Sequence, residues 1–490
     1  MSARTLQQGQ AAIILLALVG LGVIALVYGL ATPAKESIER DKKTAAALAQ
    51  AKEALLGFAA GIDLTAAGAP RPGDLPCPDF DNDGTADTPC GGAALGRLPW
   101  QRLGLPDLRD GDGERLWYAV SSNFKNNPRT ACTSPGQAGC LNSDTRGTIT
   151  VFDRAGTRIR DGSNPDPFTP SGVVAVIIAP GAVLRRQGAG APQDRSCTGD
   201  ASVANCQATQ VCSSTATALC NPVNYLDTVG PPVLTVAGAT GSTEDNANFS
   251  DGSNANGFIN GDIFDASGNL IVNDRILTIT YADLMPLLEK RVAKESLNCL
   301  NAYASVPQNG GRYPWAAPVA NWPSFADQTG TQYGRLPDGP FNATLLGLGG
   351  SVTNLICSLT PALCMFNGWP ASCTLTQGTW WNNWKELVLY GVAVAYQPAD
   401  SLLGVPPSGG CGNCLTVDPP SGAANKRVAV IVAGKRLAVV GGGQPRASAA
   451  DKSNPSNYAE DENNNAPAPA NIYEQHPATP TFNDILLFQQ

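Results

Sequence analysis

The sequence predicts an α+β chain. A membrane-spanning and then amphipathic N-terminal helix precedes two tandem modules, each built of a helix, a Pro/Gly-rich crossing and several strands, with disulfide-stapled loop insertions. Three observations predict this. An uncharged apolar run covers residues 11–31, a set of short segments returns in the same order in the second half, and β-branched runs alternate with turn-rich loops that hold most of the 14 cysteines. In residue ranges, a leader occupies 1–9, the helix 10–62, the first module 63–282 and the second 283–490, with an insertion near 319–380.

A chain of 490 residues exceeds one ordinary domain and can bury a sizeable core. With 52 Gly, 38 Pro and only 15% charged residues, it is suited to turns and long ordered loops rather than helical bundles. Its 33 basic and 41 acidic residues leave a net charge of -8 without a Lys/Arg run, so nucleic acid is not an expected partner. Most cysteines fall close together in sequence: Cys77 with Cys90, Cys132 with Cys140, Cys197 with Cys206, Cys212 with Cys220, and Cys411 with Cys414. Cys299, Cys357, Cys364 and Cys373 remain, and spacing alone does not fix the connectivity. Such staples belong to an oxidising compartment and contribute roughly 2–4 kcal/mol each.

The run from Ala11 to Ala31 has 21 residues without a charge, enough to cross a bilayer at about 1.5 Å per residue. Only Arg4 is charged before it, whereas Lys35, Glu36, Glu39, Arg40, Asp41, Lys42 and Lys43 follow. Charge bias is therefore a weak guide to orientation, and the cysteines set the N-terminus inside and the body outside the cytoplasm. A cleaved secretory signal, with a site at Gly29-Leu30-Ala31, and an uncleaved single-pass anchor are the alternatives. Beyond Pro33, Ile38, Ala45, Leu48, Leu55, Ala59 and Ile62 recur at three, four and seven residue steps, which predicts a long amphipathic helix.

A short leader ending in glycine (QQG, 7–9), an apolar helix, a proline at its exit and an amphipathic continuation together resemble the N-terminal half of type IV pilins and type II secretion pseudopilins. The resemblance implies that a prepilin peptidase cuts after Gly9 and methylates Gln10. It also implies an inner-membrane start with the body in the periplasm, entry into a filament of other pilin or pseudopilin subunits, and a head made of a helix packed on an antiparallel sheet. This sequence departs from the family at the first mature residue, Gln10 rather than Phe or Met, and at the fifth, Ile14 rather than glutamate. The large tip pseudopilin typically lacks that glutamate, so the resemblance implies a tip or priming position.

Internal matches define the two modules. AKEALLGFAA (51–60) returns as AKESLNCLNA (293–302), GRLPW (96–100) as GRYPW (311–315), and GERLWYAV (113–120) as WKELVLYGV (384–392). VAVIIAPG (174–181) returns as VAVIVAG (428–434), NYLD (224) as NYAED (457), and NDRILTI (273) as NDILLF (483). The β-branched runs at 173–179, 276–281 and 428–433, with TITVFD at 148–153, predict strands. Asp283 suits the N-cap of the second helix, with Pro286 in its first turn. From GR(L/Y)PW to the next landmark the second copy is about 57 residues longer, which places the insertion holding Cys357, Cys364, Cys373 and a Trp-rich stretch.

DFDNDGTAD sets Asp79, Asp81, Asp83 and Asp87 at positions one, three, five and nine of a calcium loop, with Gly84 at the turn. Alternate hard oxygens wrap calcium, although the twelfth position is Cys90 rather than glutamate, so the alternative is a solvated acidic turn. Asp107, Asp110, Asp112 and Glu114 read first as turn formers. Catalysis has little to draw on: His476 is the single histidine, Cys411 and Cys414 sit in a loop rather than at a helix start, and no carboxylate pair is set apart. Trp369, Trp380, Trp381 and Trp384 read as the core of the inserted piece before a partner surface. The expected function is non-enzymatic: a minor, tip-placed subunit of a type IV pilus or type II secretion-like pseudopilus, in initiation, adhesion or cargo contact. The alternative is a membrane-anchored periplasmic binding or adhesive protein that does not polymerise.

Overall fold

A computed structural model describes residues 35–490 except 67, 69, 91–94, 127–131, 137–138, 186–191, 230–243, 250, 253–256, 341–364, 378, 399–409, 420–421, 439–442 and 465–470. Helix α1 covers residues 35–61. Its buried side chains, Ala47, Leu48, Ala51, Leu55, Leu56 and Ala59, recur at helical spacing and form one stripe, so tertiary packing rather than propensity holds it. The turns before Ala47 lie largely outside the core.

The expected transmembrane helix, and with it the single-pass inner-membrane location, is corrected. No helix among the described residues is long and apolar enough to cross a membrane. The described part of α1 opens with seven charged residues in nine, a density that hydrocarbon does not accommodate. The apolar run at 11–31, like Gly9, Gln10 and Ile14, lies outside the described residues.

Two four-stranded antiparallel sheets follow one plan. In the first, β1 (Leu95–Arg97), β2 (Trp117–Val120), β3 (Ala175–Ala179) and β4 (Arg275–Ile279) lie in sequence order. Helix α2 (Tyr281–Ala304) comes next, and the second sheet orders β5 (Tyr333–Arg335), β6 (Val388–Val392), β7 (Val428–Val432) and β8 (Ile485–Gln489) likewise. The registers correspond residue for residue. Gly96 pairs with Tyr118 as Gly334 pairs with Tyr390. Tyr118 pairs with Ile177 as Tyr390 pairs with Val430, and Ile177 with Leu277 as Val430 with Leu487.

This pairing equates GRLP at 96–99 with GRLP at 334–337, not with GRYPW at 311–315. The latter corresponds instead to GDLPC at 73–77. Leu75 N donates to Phe124 O and Tyr313 N to Tyr396 O, while the Tyr118 and Tyr390 hydroxyls donate to the carbonyls of Pro76 and Pro314. The extra length in the second half therefore falls after Leu336: Arg97 and Tyr118 are 21 residues apart, Arg335 and Tyr390 are 55.

A single buried cluster joins side chains of α1, α2 and one face of each sheet, among them Leu55, Leu288, Tyr118, Ile177, Tyr390 and Val430. The opposite face of each sheet is also covered: Trp117, Ala119, Val176 and Ile178 pack on Tyr225 and Phe258 in the first half, and Leu389, Ala429 and Ile431 on Tyr458 and Tyr473 in the second. Burial on both faces explains why AVIIA and VAVIV are continuous apolar runs rather than alternating ones. The covering layers contain small mixed sheets. Val151–Phe152 runs parallel to Phe258–Ile259, and Leu415–Val417 is aligned in parallel with Ile472–Tyr473. A helix on one antiparallel sheet per module is thus corrected to a mixed architecture of several small sheets with few helices.

The N-cap of α2 is Thr280, and Asp283 lies at N3, where its carboxylate accepts from Thr280 N (2.8 Å) and Oγ1 (2.7 Å). Pro286 stands inside the helix rather than in its first turn. Six disulfides are described: Cys77–Cys90, Cys132–Cys140, Cys197–Cys206, Cys212–Cys220, Cys411–Cys414, and Cys299–Cys373, which ties α2 to the inserted segment. Cys357 and Cys364 lie outside the described residues.

Candidate functional site

The acidic loop is held against β1 by mutual hydrogen bonds between the Asp79 and Arg97 backbones and is closed by Cys77–Cys90. Asp79 is buried, and its two carboxylate oxygens accept from Asn82 N (2.6 Å) and Gly84 N (2.7 Å). These bonds fold the loop so that Asp79, Asp81 and Asp83 offer oxygens within 4.8 Å of one another. Asp87 does not join them, because its carboxylate accepts from Phe80 N (2.5 Å). Gly84 has φ +89, and a Cβ there would strike the Trp100 indole at 2.6 Å, so glycine is required. Burial, with Asp81 and Asp83 adding repulsion, pushes Asp79 up to about 7. Burial, then Asp87 and Asp83, raises Asp81 as well. A hard cation would relieve that repulsion, so the donor set fits calcium. The Asn82 side-chain oxygen, buried without a partner in the same turn, is a further hard donor.

The other sequence candidates are structural. Asp110 accepts from Asp112 N, Glu114 N and Gly181 N, and Asp107 pairs with Arg109 and Arg115. All four tryptophans of the inserted stretch are buried, with Trp380 and Trp384 at 0% exposure. His476 stacks on Phe482, its centroid 3.7 Å away.

The repeated plan brings together residues that composition does not reveal. In the first half, Asp274 Oδ2 accepts from Asp227 N (2.8 Å) and Asn246 Nδ2 (2.7 Å). Asp227 accepts from Asn273 N (2.8 Å) and Gln193 Nε2 (2.8 Å). The second half repeats each bond: Asp484 Oδ2 accepts from Glu460 N (3.1 Å) and Asn463 Nδ2 (3.3 Å), and Glu460 from Asn483 N (3.0 Å) and Gln444 Nε2 (2.7 Å). All four carboxyls are buried. Burial pushes Asp227 up to about 7 and raises Glu460; burial and then the neighbouring acid hold Asp274 and Asp484 well above the usual carboxylate range. Oδ1 of both Asp274 and Asp484 lacks a hydrogen-bond partner. Each pair thus keeps a proton at neutral pH, because two adjacent buried carboxylates cannot both ionise.

The signal for these pairs stood in the repeat. NYLD and NYAE, and ND in NDRIL and NDILL, carry acids at matching positions. Matching arginines, which no local motif marks, complete the repeat: Arg195 and Arg446 lie over the rings of Tyr225 and Tyr458, at 4.6 and 4.8 Å.

Compared with known proteins, the chain matches no family model, no curated protein and no solved structure.

Proposed function

We propose that the chain is a non-enzymatic structural subunit of an exported filament of the pilin class, placed at the tip or in a priming complex, with calcium bracing its acidic loop. One observation supports this above the rest. Residues 35–43 of α1 are all exposed, with Ile38 53% exposed, and they touch the body along one side, through the surface pairs Arg40–Asp112 and Asp41–Arg275 and the approach of the Arg40 backbone to Gly111. A charged helical end whose outer side stays open to solvent suits packing beside equivalent helices of neighbouring subunits. The leader-like QQG ending at Gly9 and the absence of the fifth-position glutamate at Ile14 agree with this reading and with a tip position. Disulfides stapling the loops fit an oxidising, extracytoplasmic compartment.

Calcium would be held by Asp79, Asp81 and Asp83. It would neutralise clustered carboxylates and stiffen the loop that lies against β1. In cells, a photo-crosslinking residue in place of Ile38 should yield adducts with another filament subunit, and the protein should appear in sheared filament fractions. No adduct, together with absence from filaments, overturns the assignment.

A further inference from the structure

Between the two halves lies a polar cavity of about 320 Å³. Arg146 and Asp144 reach it from the first half, and Glu386, Arg436, Arg446 and Lys452 from the second. Four cations face two carboxylates. Gly136 also lines the cavity, and a Cβ there would meet the Lys452 ammonium and the Glu386 carboxylate, which would have to shift.

Comparison within the molecule shows what the cavity lacks. Arg195 of the first half is saturated: Nε donates to Asn224 O, Nη1 to Gly181 O, and Nη2 to the Gln193 side-chain oxygen at 2.8 Å. Its counterpart Arg446 repeats the first two bonds, Nε to Asn457 O and Nη1 to Gly434 O, and adds Asp144 Oδ1 at 3.1 Å. The third bond is missing. Arg446 is 2% exposed, yet its Nη2 has no partner. Arg146 Nη1 is likewise buried and unpaired, and Arg436 Nε lies 3.3 Å from Asp144 Oδ2 without hydrogen-bond geometry. Leaving buried guanidinium donors unmatched is costly, and an acceptor carrying negative charge removes the cost.

We propose that this cavity binds a small tetrahedral oxyanion of the phosphate or sulfate kind, with the unpaired donors of Arg446, Arg146 and Arg436, covered by protein atoms here, turning onto it. The ion would bridge both halves of the chain, and the cavity leaves room for water beside it. Bidentate guanidinium donors favour this geometry over a halide or a neutral ligand.

Inorganic phosphate is the probe. Isothermal titration of the full, disulfide-bonded protein in phosphate-free buffer should give saturable binding of one ion, with sulfate competing. Arg446→Gln should weaken binding at least tenfold. Because Arg446 is also structural, Arg146→Gln serves as the second variant: its unpaired Nη1 should make it weaken binding while the melting temperature without phosphate is unchanged. Absence of saturable binding up to about 10 mM phosphate overturns the proposal, as does binding undiminished in both variants.

Discussion

Replacing Asp274 by Asn tests the proton held in the first acid pair. The Asn oxygen can take the place of Oδ2, which accepts from Asp227 N and Asn246 Nδ2, and its NH2 takes the place of the unpartnered Oδ1. In the wild-type chain, burial moves Asp227 from an ordinary 3.8 to about 7, and burial, then Asp227, holds Asp274 well above the usual carboxylate range. The native pair therefore keeps a proton that the unfolded carboxyls release near pH 4. Its contribution to stability is fully present below that pH and is lost as pH rises through the folded value. Each proton held across that window gives a slope of about 1.4 kcal/mol per pH unit, or about 2–3 kcal/mol between pH 5 and pH 7, and Asp227, raised chiefly by burial, keeps its own proton in the variant. Asp274→Asn should remove that share of the loss. Guanidinium unfolding at pH 5, 6 and 7, without reductant and followed by tryptophan fluorescence, measures it, since Trp117 packs against Tyr225 in the same half. Other raised acids, such as Glu289, titrate in both proteins and cancel in the comparison. Wild type and variant with the same pH dependence would refute the proton held at Asp274.

The same logic extends to the other sites. Asp484→Asn should flatten the pH profile by a similar amount, and the double variant should show both effects, because the second pair repeats the first bond for bond. Calcium at a hundredfold its dissociation constant should stabilise the protein by about 2.7 kcal/mol in thermal melts, with the effect lost in Asp81→Asn and kept in Asp87→Asn. Gly96→Ala should cost about 1–3 kcal/mol in unfolding titrations, since the new Cβ would sit 2.7 Å from Asp79 O, and Gly334→Ala should behave alike against Ala317 O. Replacing both Cys299 and Cys373 by Ser should cost up to about 4.4 kcal/mol, the chain-entropy value for a loop of 74 residues, read as a lower unfolding midpoint.

Some of this structure is legible in the sequence and some is not, for identifiable reasons. AVIIA and VAVIV announce strands because central strands covered on both faces need unbroken β-branched runs. By contrast, β1 and β5 are three residues long and carry a buried arginine each, Arg97 and Arg335, so no hydrophobic pattern marks them. That is why GRYPW at 311–315 matches GRLPW in letters alone, while GRLP at 334–337 is its counterpart in the sheet. Small parallel pairs in the covering layers are two residues long, below any periodic signal. In the acidic loop, alternate aspartates were visible, but the turning of Asp87 toward Phe80 N depends on backbone geometry. Asp227 and Asp274 are 47 residues apart in sequence, and only comparison of the two copies brings them together.

Whether the chain enters a filament is decided at its mature N-terminus. Peptide and intact-mass spectrometry of protein recovered from its native cells should find N-methylated Gln10 as the first residue. Protein that retains Met1 in cells with an active prepilin peptidase would contradict the filament assignment.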